Sequence, residues 1–221
     1  MKYFIANWKA NKNLDETKQW ADQFLKIYQP NNEKTVIICP PFPFIPLLDQ
    51  AFSHLKNIKV GAQDLSVFES GTYTGEVTAK SLKGLVDYVI IGHSERRKNF
   101  HETQDIINRK INLAKKYQIE PIFCFGDDKE WTDPPVKFVT YEPPWAISKG
   151  YQDSMKTVIE EKPETVVEVK KKLNIPPDKC FIYGGSVNLN NISHYLRYDQ
   201  IDGFLVGGAS LNPSTFYEIV F

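Results

Sequence analysis

The chain has 221 residues, 42% of them hydrophobic and 13% aromatic, with 27 basic and 27 acidic side chains and a formal net charge of zero. That apolar fraction excludes intrinsic disorder and suffices for a sizeable core, because a chain of this size buries about 70% of its unfolded surface. Balanced charge leaves no general field to gather nucleic acid or an anionic membrane, so any anion has to be held by a local site.

Taken in chain order, short apolar runs rich in Val, Ile, Tyr and Phe predict strands at Tyr3–Ala6, Thr35–Cys39, Lys59–Ala62, Tyr88–Ile91, Ile122–Phe125, Val136–Tyr141, Cys180–Tyr183 and Gly203–Val206. Most are continuously apolar, as parallel strands covered on both faces are. Between them lie helical patterns. Leu14–Tyr28 carries Trp20, Phe24 and Ile27 on one stripe, and Thr103–Tyr117 carries Ile107, Ile111 and Ala114 on another. Further helices are predicted over Phe44–Ser53, Thr78–Leu85, Ser154–Leu173 with Pro163 dividing it, Leu189–Tyr198, and from Pro213 onward.

Strand and helix alternate, so the class is α/β. Eight such units at this length predict one domain, residues 1–221, folded as a closed (β/α)8 barrel. One unit is short. About ten residues, including Asp133, Pro134 and Pro135, separate the fifth and sixth strands, so the fifth helix is expected to be missing or reduced to a turn.

No run approaches the ~18 apolar residues of a membrane span, and Tyr3–Ala6 is followed at once by Asn7 and Lys9, unlike a signal peptide. A cytoplasmic chain without membrane or nucleic-acid partners is expected. Cys39, Cys124 and Cys180 stand singly and are expected as reduced thiols. His54, His93, His101 and His194 lack ligand spacing and no clustered carboxylates accompany them, so no metal is expected.

In a barrel of this kind the chemistry collects where strands end. Asn7, Trp8 and Lys9 follow the first strand, Gln63 and Asp64 the third, and Gly92 to Glu95 the fourth. Glu142 follows the sixth, Gly184–Ser186 the seventh, and Gly207–Gly208 the eighth. Two glycine pairs after the last two strands suit a phosphate dianion held by backbone N–H groups. Glu142 stands beside Pro143, Pro144, Trp145 and Ile147, an apolar loop that would strip water from the carboxylate and strengthen it as a base. His93 opens a helical turn, Ser94–Arg97, whose dipole would disfavour the imidazolium and keep the ring neutral.

These segments together resemble the triosephosphate isomerase family. The resemblance runs through Asn7-Trp8-Lys9, Gly75-Glu76-Val77, Gly92 to Arg97, Tyr141-Glu142-Pro143 with Trp145-Ala146-Ile147, Tyr183 to Val187, and Asp202 to Leu211. It implies an isomerase that interconverts dihydroxyacetone phosphate and D-glyceraldehyde 3-phosphate without a cofactor. It further implies that Glu142 is the base, neutral His93 the electrophile and proton shuttle, Lys9 the positive charge, and Glu95 the partner that orients Lys9. Asn7 would hydrogen-bond the substrate, and Ser148, Ser186, Gly207 and Gly208 would contact its phosphate. The family's loop inserted between subunits would be Gln63–Gly75 here, implying a homodimer.

Two departures stand out. Where the family's lid usually reads Ala-Ile-Gly, this chain has Ala146-Ile147-Ser148, and a serine forced to φ > 0 would cost about 1–2 kcal/mol. Asp64 replaces the family's usual asparagine and is expected to add charge near the interface. Rival readings are another sugar-phosphate isomerase or aldolase, which would share the glycine pairs, and a phosphate-binding barrel in which the altered lid impairs turnover.

Overall fold

The computed structural model describes residues 1–145 and 160–221. Its strands are β1 (Lys2–Asn7), β2 (Lys34–Cys39), β3 (Ile58–Ala62), β4 (Tyr88–Ile91), β5 (Glu120–Phe125), β6 (Phe138–Tyr141), β7 (Cys180–Tyr183) and β8 (Gly203–Val206). All pair in parallel and in chain order, and β8 closes on β1 through Tyr3↔Gly203 to Ala6↔Val206. The predicted TIM barrel is therefore the observed fold.

Continuous apolarity in the strands has a direct cause, since each serves two cores. Ile5, Ile37, Ile90, Ile122, Ile182 and Leu205 meet in the barrel's interior cluster. Their neighbours Phe4, Val36, Val89, Phe123, Phe181 and Phe204 pack outward with the helices. The same alternation sets the mouth. Asn7 continues the inward row from Ile5, Glu142 continues it from Phe138 through Thr140, and Gly184 and Gly207 continue it from Ile182 and Leu205.

The helices are α1 (Leu14–Ile27), α2 (Ile45–Phe52), α3 (Ala79–Leu82), α4 (Ser94–Phe100), α5 (Gln104–Lys116), α6 (Pro163–Lys172), α7 (Ile192–Tyr195) and α8 (Pro213–Val220). Asn13 and Glu16 close a capping box on α1, and the Thr103 side chain caps α5. Pro163 is the first residue of α6, as its fixed φ favours. The part of the predicted Ser154–Leu173 pattern from 154 to 159 lies outside the described residues. Three predictions ran long: α3 stops before Gly84 at φ +83°, α7 keeps one turn, and β6 begins two residues late because Pro134 and Pro135 precede it. The turn predicted at Ser94–Arg97 continues to Phe100.

Residues 126–137 form no helix between β5 and β6. Trp131 takes over part of its packing, with its ring 5.1 Å from Phe125 and 6.5 Å from Phe123. The Lys115 ammonium donates to Pro135 O at 3.0 Å, and Lys179 donates to Val136 O at 3.1 Å, so basic side chains from both flanks bind the link's carbonyls. Among the described residues, no helix is long and apolar enough to cross a membrane. Cys39 and Cys124 are buried free thiols and Cys180 is partly buried.

Candidate active site

At the C-terminal mouth of the strands lies a pocket of about 220 Å³, lined by Asn7, Lys9, His93 and Glu142 together with Gly184–Asn188 and Gly207–Ala209. Ends of β1, β4, β6, β7 and β8 contribute to one cavity. Ser186, Gly207 and Gly208 line it with the candidate reacting groups. Glu95 lies just behind, on Lys9. Ser148 lies outside the described residues.

Glu142 is 1% exposed, and both carboxylate oxygens are engaged. Oε1 lies 2.9 Å from His93 Nε2, and Oε2 accepts the Ser94 N–H at 3.0 Å. Gly184 makes this position available: a Cβ there would fall 2.9 Å from Glu142 Cγ and 2.7 Å from Thr140 Cγ2. Burial opposes charge on Glu142, yet the His93 ring, the Ser94 N–H and Lys9 outweigh it and hold the carboxyl below its ordinary value.

His93 caps α4. Its Nδ1 accepts the Glu95 N–H at 3.2 Å, so in the neutral form of the ring the proton is on Nε2. Burial also opposes charge here, but the Glu142 carboxylate beside Nε2 raises the ring's pKa overall. The dipole argument for a depressed value thus meets a stronger opposing neighbour. What the helix N-terminus does accomplish is the choice of tautomer.

Lys9 adopts φ +53°, an unfavourable backbone for a side chain with a Cβ. Three contacts hold it there. Asn7 Oδ1 accepts its N–H at 3.1 Å, Gln63 Nε2 donates to its carbonyl at 2.9 Å, and its ammonium donates to Glu95 Oε1 at 2.6 Å. Between Asn7 and Lys9, Trp8 turns outward to full burial beneath α1, against Trp20, ring centres 4.9 Å apart. Gln63 went unassigned in the sequence reading; its place directly after β3 was the available signal. The role of the Ser94 N–H had no signal in residue type, since a main-chain donor carries none.

Asp64 departs from expectation. Its carboxylate is paired within the chain, 2.7 and 2.8 Å from Lys110 Nζ and 2.9 Å from an Arg96 nitrogen, so the added charge is balanced internally. Trp145 is half exposed, and its indole N–H donates to Glu161 Oε2 at 2.5 Å. The loop continuation 146–150, read as a cover, lies outside the described residues.

The family model described as triosephosphate isomerase matches residues 2–134 and 133–221, two segments that meet inside the helix-free β5–β6 link. A triosephosphate isomerase of Dictyoglomus thermophilum is 37% identical over 99% of this chain and 98% of its own length. That of Mesomycoplasma hyopneumoniae is 37% identical with the same coverage, and that of Aquifex aeolicus 32% identical over 98% and 97%. Sequence, barrel and mouth therefore agree, and the chain belongs to the triosephosphate isomerase family.

Proposed function

We propose that the mouth interconverts dihydroxyacetone phosphate and D-glyceraldehyde 3-phosphate by proton transfer through an enediolate, with Glu142 as base, His93 as electrophile and Lys9 as electrostatic support. The observation that carries this reading is the buried Glu142–His93 contact, 2.9 Å, in the same pocket as Lys9 and the Gly207–Gly208 loop.

For the reaction to start, Glu142 must exchange His93 Nε2 and the Ser94 N–H for the substrate. The substrate's carbonyl oxygen then takes the vacated Nε2–H, and the carboxylate faces the adjacent carbon. Glu142 removes a proton from that carbon; the C–H electron pair becomes the C=C bond, and the carbonyl π pair moves onto oxygen. Negative charge developing there is met by the His93 N–H and the Lys9 ammonium, donors already in place, whose stabilisation in a water-poor site amounts to several kcal/mol. Protonated Glu142 returns its proton to the neighbouring carbon, and His93 carries a proton between the two oxygens. Once Glu142 has moved away, the largest pull that raises the His93 pKa is gone, leaving Glu95 opposed by burial and Lys9, while the Glu95 N–H still occupies Nδ1.

Backbone N–H groups near Ser186, Gly207 and Gly208 serve the phosphate in this reading. The binding energy of that non-reacting group then aligns the reacting carbon. An aldolase or phosphate-binding barrel would use the glycine loops without needing the Glu142–His93 pair. Purified protein in a coupled assay should convert glyceraldehyde 3-phosphate, and Glu142→Gln should abolish turnover while phosphate binding persists. Binding without turnover in the parent would refute the proposal.

The same reading covers a single domain, a cytoplasmic location and a homodimer built on the Gln63–Gly75 loop. Support for the dimer comes from Phe68 and Tyr73, exposed on that loop with stacked rings 3.6 Å apart, and from a cavity of about 330 Å³ in which Phe42, Val77 and Phe100 share the lining with Asp64, Arg96, Glu102 and Lys110. Stacked apolar rings at a loop surface suit insertion into such a cavity on a second copy.

A further inference from the structure

α4 presents three groups to the reaction: the His93 ring at its cap, the Ser94 N–H on Glu142, and the Glu95 carboxylate on Lys9. This helix is held by Arg97, which donates to Gly92 O at 2.8 Å and to Cys124 O at 3.0 Å, and by a largely buried ion cluster. Arg96 reaches Asp64 Oδ2 at 2.9 Å and donates to Glu102 Oε1 at 2.6 Å. Lys110, 3% exposed on the apolar face of α5, donates to both Asp64 oxygens and, at 2.5 Å, to the same Glu102 Oε1. Among the described residues, the other Glu102 oxygen is buried without a partner. One oxygen of Glu102 thus serves two cations, and Asp64 supplies the second anion that balances them.

We infer that the Asp64 carboxylate is a positioning residue for the isomerisation, anchoring α4 through Arg96 so that His93, Ser94 and Glu95 keep their places in the mouth. Its chain neighbour Gln63 anchors the other half of the site by holding the strained Lys9 carbonyl. Two consecutive residues after β3 thereby fix the parts contributed by β1 and by α4. A buried ion pair contributes little net stability, whereas removing one partner leaves the rest uncompensated. The consequence for Arg96 is a choice: with Asp64 neutral, it shares Glu102 with Lys110 and its second contact weakens.

Burial pushes the Asp64 carboxyl up to about 6, against the opposing pull of Lys110 and Arg96 and with the help of Glu102. Those three, from α5, α4 and the link between them, are the charged groups in contact with it, and Glu76 lines the adjoining cavity. The anchor is therefore complete above about pH 6 and weakened below it.

This inference rests on the isomerase reading, which the parent's own turnover tests independently. Asp64→Asn reproduces the shape of the protonated carboxyl. Dividing the variant's kcat by the parent's at each pH cancels the ionisation of substrate phosphate and of Glu142. Misplacement of well under 1 Å is enough for about a fivefold loss, so the ratio should be about one-fifth near pH 8 and rise toward one near pH 5, with a midpoint near 6. KM should change less than about twofold, and solution mass should match the parent. A ratio independent of pH, at any level, would overturn the inference. Should Asp64→Asn fail to fold, Arg96→Lys supplies the second test. It keeps the charge and loses the two-sided grip, so kcat should fall about fivefold with KM within twofold. Unchanged kcat, or a loss in KM alone, would refute the anchoring role.

Discussion

Glu142 combines near-complete burial with a carboxyl held below its ordinary value, and His93 combines burial with a raised one. The signs of their contributions to stability are opposite. Glu142, depressed from 4.5, stabilises the fold above that value and loses its contribution as pH falls through the lowered pKa. His93, raised from 6.5, stabilises below that value and loses its contribution as pH rises through the raised pKa. Melting temperature of the substrate-free protein should therefore decline as pH climbs past 6.5, and His93→Gln should flatten that decline. A parallel slope in parent and variant would contradict the pairing. Gly184→Ala probes the same carboxylate sterically: its methyl would meet Glu142 Cγ and Thr140 Cγ2. It should lower kcat roughly 10- to 100-fold while circular dichroism stays unchanged. Thr140 offers the reverse case. Among the described residues its hydroxyl is buried without a partner, so Thr140→Val should leave thermal stability equal or raise it by about 1 kcal/mol.

At the scale of elements, the strands were readable because barrel strands bury both faces, and their ends then pointed to the right loops. Asn7, Glu142 and the glycines of β7 and β8 fall in the mouth by strand parity alone. α4 was less readable. Its seven residues, Ser-Glu-Arg-Arg-Lys-Asn-Phe, contain no fully buried side chain, so no apolar stripe announced the last turn. The β5–β6 link was predicted to lack a helix from its length, but nothing in that count indicated that Trp131 would cover Phe123 and Phe125. Because the indole is only partly buried, Trp131→Ala should cost about 2 kcal/mol, lowering the melting temperature by roughly 4–8 °C. A shift below 1 °C would mean the link's backbone, held by Lys115 and Lys179, suffices.

For the molecule as a whole, the proposed dimer would make the Gln63–Gly75 loop a link between assembly and catalysis. Its first residues, Gln63 and Asp64, brace Lys9 and α4, while Phe68 and Tyr73 stand exposed farther along. If the proposed dimer forms, the parent's solution mass should be that of two chains, and Tyr73→Arg, which places a charge among these apolar rings, should lower it to one at micromolar concentration. Retention of the parent's mass would relocate the interface. Loss of assembly with retained kcat would show that the internal brace at Gln63 and Asp64 holds the mouth unaided.

Order of strands, class of fold and family of catalyst were determined by the amino-acid sequence alone, because apolar runs, turn residues and the residues at strand ends are local features that survive without coordinates. Pairing was not among them. That Asp64 meets Lys110 and Arg96, that Glu142 rests on His93 and the Ser94 N–H, and that Gln63 braces Lys9 are contacts across 46, 32, 49, 48 and 54 residues of chain. Only the closed barrel brings such positions within hydrogen-bonding distance, and the pKa of a buried carboxylate or ring is set by those neighbours rather than by its place in the chain.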